Sequence, residues 1–344
     1  MTINRPSTYR DIAKAAGVSI ATVSFALRNR PGVSKPIREH ILQVADRLGY
    51  QTNPYVAAWM TQRRALRPAK IQAIMGIITQ QPMDLQHFTH STPSEMLKGA
   101  EAAASKLGFV IEQFSLPQIE RNPRALSKAF ATRRMNALLL HVLGEVPEYV
   151  TINWEKFAMV SMGRRNKILD VDFVSSDHFS NMTSALDGLQ ELGYRRIAFL
   201  TLERLAGLQD KRYLAAYLGW HSPRRPLAPW IAKGEGWDSA TLKLWMDKNK
   251  PDAVITDDHT LLNRFSELGF SLPRDLGFVH LDLDVRWGTK VSGIQQNNHD
   301  VGVAAVELLT GLVVRNDLGL PQRPHAHLVE GAWVAGDTTR TQGG

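Results

Sequence analysis

The sequence predicts a small all-α head followed by a large α/β body of two lobes. Three observations carry that expectation. Three short helical patterns joined by tight turns fill residues 8–50, and from residue 71 onward apolar strand patterns alternate with helical ones. The third is size: 344 residues with 44% hydrophobic content are ample for more than one core.

The first helical pattern opens on Thr8-x-x-Asp11, a capping box in which hydroxyl and carboxylate each satisfy a free backbone N–H. Ala13, Ala16 and Gly17 keep the next turn small, so that a second helix can cross closely. Ser19 is a good N-cap for that helix. On it Val23, Ala26 and Leu27 share one face, while Ala21, Thr22, Ser24, Phe25 and Arg28 lie on others. This is a helix-turn-helix pattern. Ser34 then caps a third helix with Ile37, Ile41, Val44, Ala45 and Leu48 at helical spacing, and Gly49 is its stop.

Such a unit places its second helix in the DNA major groove, though the same pattern fits a helical hairpin inside a larger core. Charge separates the two readings. Residues 1–70 hold twelve Lys or Arg (5, 10, 14, 28, 30, 35, 38, 47, 63, 64, 67 and 70) against Asp11, Glu39 and Asp46, a net of +9, whereas the whole chain is +8. All the excess positive charge sits on this N-terminal end, head and connector together, as a phosphate-binding surface requires. The expected division is a helix-turn-helix DNA-binding domain over residues 1–51, a hinge or linker over 52–71, and a body over 72–344. In the linker, Asn53-Pro54 stops the third helix. A short apolar run ending in Trp59 and Met60 is helix-competent, and packs on a neighbouring surface or faces DNA.

In the body, strands are expected at AIMGIITQ, FVIEQFSL, NALLLHVL, FAMVSM, RIAFLTL, DAVITDD and GFVHLDL, with helices such as MTSALDGLQELGY and LLNRFSELGF between them. This alternation implies parallel sheets covered by helices on both faces. Ligands in such folds sit beyond the carboxyl ends of the strands, which directs attention to Thr79-Gln80, Ser161-Met162, Thr201-Leu202, Thr256-Asp257-Asp258 and Asp282-Leu283-Asp284.

Composition excludes several classes. There is no cysteine, hence no disulfide framework, thiol nucleophile or cysteine metal site. The first ten residues hold no apolar h-region and no stretch approaches the ~18 apolar residues of a membrane span, so a cytoplasmic protein is expected. No Walker loop, G-x-G-x-x-G, G-x-S-x-G or H-E-x-x-H occurs, and His325-x-His327 has no third ligand nearby in sequence. No enzyme activity, cofactor or metal is expected.

The ordered series TYRDIAKAAGVSIATVSFALRN, LGY, an Asn-Pro connector, ELGYRRIAFL, KRYLAAYL, PDAVITDD, LPRDLGFVHLD, VSGIQQ and VEGAWVAGDTT resembles the lactose-repressor (LacI/GalR) family over nearly the whole chain. The resemblance implies a type I periplasmic-binding-protein-like body. It also implies a homodimeric regulator, a repressor of a carbohydrate-related operon, that binds a pseudo-palindromic operator and responds to a sugar-like or other small effector between the lobes. The alternatives are a regulator that answers to a non-sugar ligand or to none, or a sugar-processing enzyme. Carried over by position, Thr8, Arg10, Thr22, Ser24 and Arg28 contact phosphates, and Tyr9, Ile20, Ala21 and Phe25 face base edges, with Ser19 at the helix start beside them. Phe25 departs from the common arginine there and can only make apolar contact, for example with a thymine methyl. Trp59, with Met60, falls where the family has a leucine that wedges into the minor groove. The effector residues implied are Gln80, Ser161, Arg212, Trp237, Asp257, Asp282 and Gln296. Asp257 replaces a common asparagine, which suits a polyol-rich or cationic effector.

Overall fold

The computed structural model describes residues 9–27, 32–48, 73–81, 91–133, 135–141, 150, 152–166, 169–220, 227–234, 236–283 and 290–342. The head is three helices, α1 (Tyr9–Ala16), α2 (Ile20–Leu27) and α3 (Lys35–Arg47). Their apolar faces close a core of Ile12, Ala13, Val23, Ala26, Ile41, Val44 and Ala45. Ile37 and Leu48 do not join it: both are exposed, leaving the middle of α3 to carry the packing. Ser19 caps α2 as expected, its Oγ accepting from Thr22 N at 3.1 Å. Ser34 occupies the N-cap of α3 without a side-chain capping bond. Gly17 has φ +68°, and a Cβ there would meet nothing within 4 Å. The turn therefore needs glycine for its left-handed backbone, not for close approach.

The body alternates strands and helices as the sequence predicts. In order come β1 (Ala73–Thr79), α4 (Thr92–Lys106), β2 (Phe109–Ser115), α5 (Leu116–Arg121), α6 (Pro123–Arg133), β3 (Ala137–His141), β4 (Ala158–Met162) and β5 (Phe173–Ser176). Then follow α7 (His178–Glu191), β6 (Ile197–Leu202), α8 (Glu203–Leu208), α9 (Arg212–Gly219), β7 (Trp230–Ala232), α10 (Ser239–Asn249), β8 (Ala253–Thr256) and α11 (Thr260–Glu267). The chain ends with β9 (Gly277–His280), β10 (Ser292–Gln295), α12 (Asn298–Arg315), β11 (Ala326–Val329) and β12 (Ala332–Val334). Local chemistry sets several starts. Asp177 caps α7 by accepting from Phe179 N and Ser180 N, and Asp238 caps α10 by accepting from Thr241 N at 2.7 Å.

Two six-stranded sheets result, ordered β11-β5-β4-β3-β1-β2 and β12-β10-β9-β8-β6-β7. All neighbours are parallel except β10 and β12. Strand order reverses between β1 and β3 and again between β6 and β8, so each lobe has a switch point where a crevice opens at the carboxyl ends. The chain passes between lobes three times: from β5 to α7, from β10 to α12, and from β11 to β12. These passages are tied together. Asp177 N donates to Val329 O, Gly331 N to Asn181 Oδ1 and Asn297 Nδ2 to Glu330 O, each at 2.8 Å. After leaving the second sheet, α12 packs against α4 and the first sheet through Val301, Ala305, Val306 and Leu309.

Candidate functional site

In the head, α2 leaves exposed two of the residues assigned to DNA, Ile20 and Phe25. Ile20 is 47% and Phe25 40% exposed, too much for side chains that hold a core. Thr22 is half-buried and shares a 2.8 Å hydrogen bond with the Ser19 hydroxyl. Tyr9 and Arg10 occupy the first positions of α1, and Ala21 and Ser24 stand on α2. Thr8, Arg28, Trp59 and Met60 lie outside the described residues, as does the whole 52–71 connector.

In the body, a cavity of about 780 Å³ opens between the lobes. One wall is the start of α4, with Ser91, Thr92, Pro93 and Glu95. The opposite wall is formed by Asp257, His259, Leu262 and Asn263 after β8 and by His280, Asp282 and Leu283 at the end of β9. Residues 295–300 of the β10-to-α12 passage form the floor. Of the seven residues implied for an effector, this cavity gathers Asp257, Asp282 and Gln296.

Asp282 bridges the lobes. Its Oδ2 accepts from Thr92 Oγ1 at 2.5 Å and its Oδ1 from Asn298 Nδ2 at 3.2 Å, so one carboxylate gathers α4, β9 and α12. His280 shapes the turn that presents it, with Nδ1 2.7 Å from Asp282 O. Gln296 is fixed by two donations from Nε2, to the Tyr213 hydroxyl at 2.8 Å and Leu281 O at 2.7 Å.

Asp257 and Asp258 are adjacent in sequence and opposite in circumstance. Asp258 is fully engaged: Oδ2 accepts from Trp237 Nε1 at 2.8 Å, and Oδ1 accepts from the backbone N–H and hydroxyl of Thr260. Both oxygens of Asp257 are buried, and no hydrogen bond of ordinary length and angle reaches either. Burial pushes its pKa up to about 6. Thr201 and Gln209 stand close enough to pull against that rise, and Asp258 adds to it.

The remaining four residues stand elsewhere. Ser161 is buried and its hydroxyl donates to Arg164 O at 2.6 Å. Trp237 is 5% exposed and packs edge-on against Trp230, making it part of the second lobe's core. Gln80 is half-buried just beyond β1. Arg212 begins α9 with its guanidinium 5.5 Å over the Phe173 ring, near a half-buried His178. Desolvation, reinforced by the Arg212 charge, lowers His178 to about 4 against the opposing pull of Asp177 and Asp210. Thr92 and Asn298 were not foreseen from the sequence. Nothing in the sequence marks Thr92, whose partner is 190 residues away.

Comparison with known proteins agrees with this arrangement. Residues 8–53 match the family model described as bacterial regulatory proteins, lacI family, and residues 186–339 match a periplasmic binding protein-like domain. The HTH-type transcriptional regulator PtxS of Pseudomonas putida is 25% identical over 328 residues, covering 92% of each chain. Among solved structures, a transcriptional regulator CelR–cellobiose complex superposes with a TM-score of 0.56 at 20% identity, covering 97% of this chain and 100% of that one. A lac repressor dimer bound to operator and the anti-inducer ONPF does so with 0.56 at 18% identity, covering 98% and 100%. At these identities the structural likeness concerns the fold.

Proposed function

The chain belongs to the lacI family of bacterial regulatory proteins, and from that premise we infer that it is a transcriptional repressor whose operator affinity is set by a small, sugar-like effector held between the lobes. One observation carries the reading: a single chain combines an outward α2 face, on an N-terminal stretch of 70 residues with a net charge of +9, with a cleft bounded by both lobes and crossed by the Thr92–Asp282 bond. The first reads phosphate and base edges; the second changes shape when something fills it.

Within this reading the protein works in the cytoplasm as a homodimer on a pseudo-palindromic operator, and it turns over no substrate. Residues 1–51 bind DNA, 52–71 form the hinge, and 72–344 bind effector and partner subunit. On α1 and α2, Tyr9, Ile20, Ala21 and Phe25 face bases while Thr8, Arg10, Ser19, Thr22, Ser24 and Arg28 lie along the backbone. Trp59 and Met60 meet the minor groove at the operator centre. In the body, Asp257, Asp282 and Gln296 face the effector, while Arg212, held over Phe173, and Gln80, Ser161 and Trp237 support the walls.

Fluorescence anisotropy on operator selected from random DNA, with and without a panel of sugars and derivatives, tests the reading. A member of the panel should change operator affinity by a factor of about 5–150, the usual span of allosteric coupling. Sequence-independent DNA binding, or operator affinity that no small molecule alters, would overturn it.

A further inference from the structure

We propose that the cleft takes a cationic effector, a small hydroxylated amine whose ammonium group seats against Asp257. The inference rests on the effector-controlled reading above and gives the effector a chemical class. Four carboxylates line the cavity, Glu95, Asp257, Asp282 and Asp300, and among the described lining residues there is no lysine or arginine. Three of the four already have partners. Asp282 holds Thr92 and Asn298, Glu95 is paired with Lys98 at 2.7 Å, and Asp300 lies 3.4 Å from His299 Nδ1. Asp257 lines the same cavity with both oxygens buried and neither hydrogen-bonded.

A carboxylate removed from water, with Thr201 and Gln209 near but no well-formed hydrogen bond to either oxygen, is costly, and the fold keeps it beside a neighbour, Asp258, whose oxygens are fully used. What is missing is a donor from outside the chain. An ammonium brings three N–H donors, no acceptor, and the charge that restores neutrality. A hydroxyl brings one donor and no charge. A carboxylate or phosphate brings acceptors to a wall that already has too many, and meets like charge at short range. Arg212 does not reverse this balance, because its guanidinium stands over Phe173 and is not among the lining residues. The ammonium therefore satisfies Asp257 most fully, and hydroxyls on the same molecule suit the remaining polar lining of Gln295, Asn297 and Asn298.

The experiment uses the full-length protein on its operator and matched trios of small molecules, in each of which one position carries an amino, hydroxyl or carboxylate group. Glucosamine, glucose and glucuronate form one trio; pentose and short-chain polyol frames supply the others. Thermal shift and operator release are read for wild type and Asp257→Asn. In at least one trio the amine should bind about tenfold tighter than its hydroxyl analogue, in line with the stronger hydrogen bonds of paired charges, and the acid should not bind. In Asp257→Asn the amine should fall to the level of the hydroxyl compound while operator binding without ligand is retained. Operator release by a carboxylate member, or an amine preference that survives Asp257→Asn, overturns the assignment and leaves effector control standing. If no member of any trio binds, both fall.

Discussion

At the scale of single residues, an apolar side chain left exposed outside every core contributes least to the fold, and Phe25 is such a residue. It is 40% exposed and outside the core formed by Ile12, Val23 and Ile41. Phe25→Ala should change the head's stability by no more than about 0.5 kcal/mol while weakening operator binding clearly more than binding to random DNA; calorimetry and anisotropy on the same samples check both halves. Asp257 and His178 make a second pair of predictions, because their ionisation opposes the fold in different directions. Asp257 is raised to about 6 from an ordinary 3.8, so the stability tied to its proton is full below pH 4 and is lost as pH rises toward 6. His178 is lowered to about 4 from 6.5, so its share is full above pH 6.5 and is lost as pH falls toward 4. Each is worth about 3 kcal/mol, and between pH 4 and 6 they offset. Asp257→Asn removes one of them. The variant should be more stable than wild type at pH 7.5, and acidification from 6.5 to 4 should then lower its melting temperature more steeply. Parallel pH profiles of the two proteins would contradict the unpartnered state of Asp257.

At the scale of elements, what could be read from sequence follows from how strongly each element advertises itself. The apolar runs of β1, β3, β6 and β8 are strands buried over most or all of their length and were legible. β12 was not, because it is a three-residue edge strand facing solvent on one side. β5 hides for another reason: it carries Ser175 and Ser176 into the interior, where Ser175 Oγ donates to Gly163 O. The α4–α12 crossing was equally invisible, since it depends on two glycines that only the fold brings together. A Cβ on Gly302 would overlap Met96 O, and one on Gly99 would overlap His299 O. Backbone cannot yield as a side chain can, so Gly302→Ala should cost about 1–3 kcal/mol by forcing the helices apart. Gly311 lies later on the same helix, where a Cβ would meet only the mobile end of Arg315. Gly311→Ala should be neutral or stabilising by up to about 1 kcal/mol through helix propensity. Equal losses in the two variants, measured by urea unfolding, would show that the crossing is not the cause.

For the whole molecule, the question is what sets the angle between the lobes when nothing is bound. The three passages between sheets are hydrogen-bonded to one another and act as a common hinge, which limits the path of motion without choosing its end point. The end point is chosen where Thr92 on the first lobe donates to Asp282 on the second. A net hydrogen bond to a charged acceptor is worth about 1.5–3 kcal/mol, enough to shift a two-state opening equilibrium by about tenfold or more. An effector that claims Asp282 must displace the Thr92 hydroxyl and supply its own link across the cleft. Thr92→Val keeps the side-chain shape and removes the donor. Its ligand-free scattering profile should show a larger radius of gyration than wild type, whereas Thr92→Ser, which keeps the hydroxyl, should match wild type. If Thr92→Val scatters like wild type, the closed arrangement is held by the packing of α12 on α4, and the bond across the cleft follows closure without causing it.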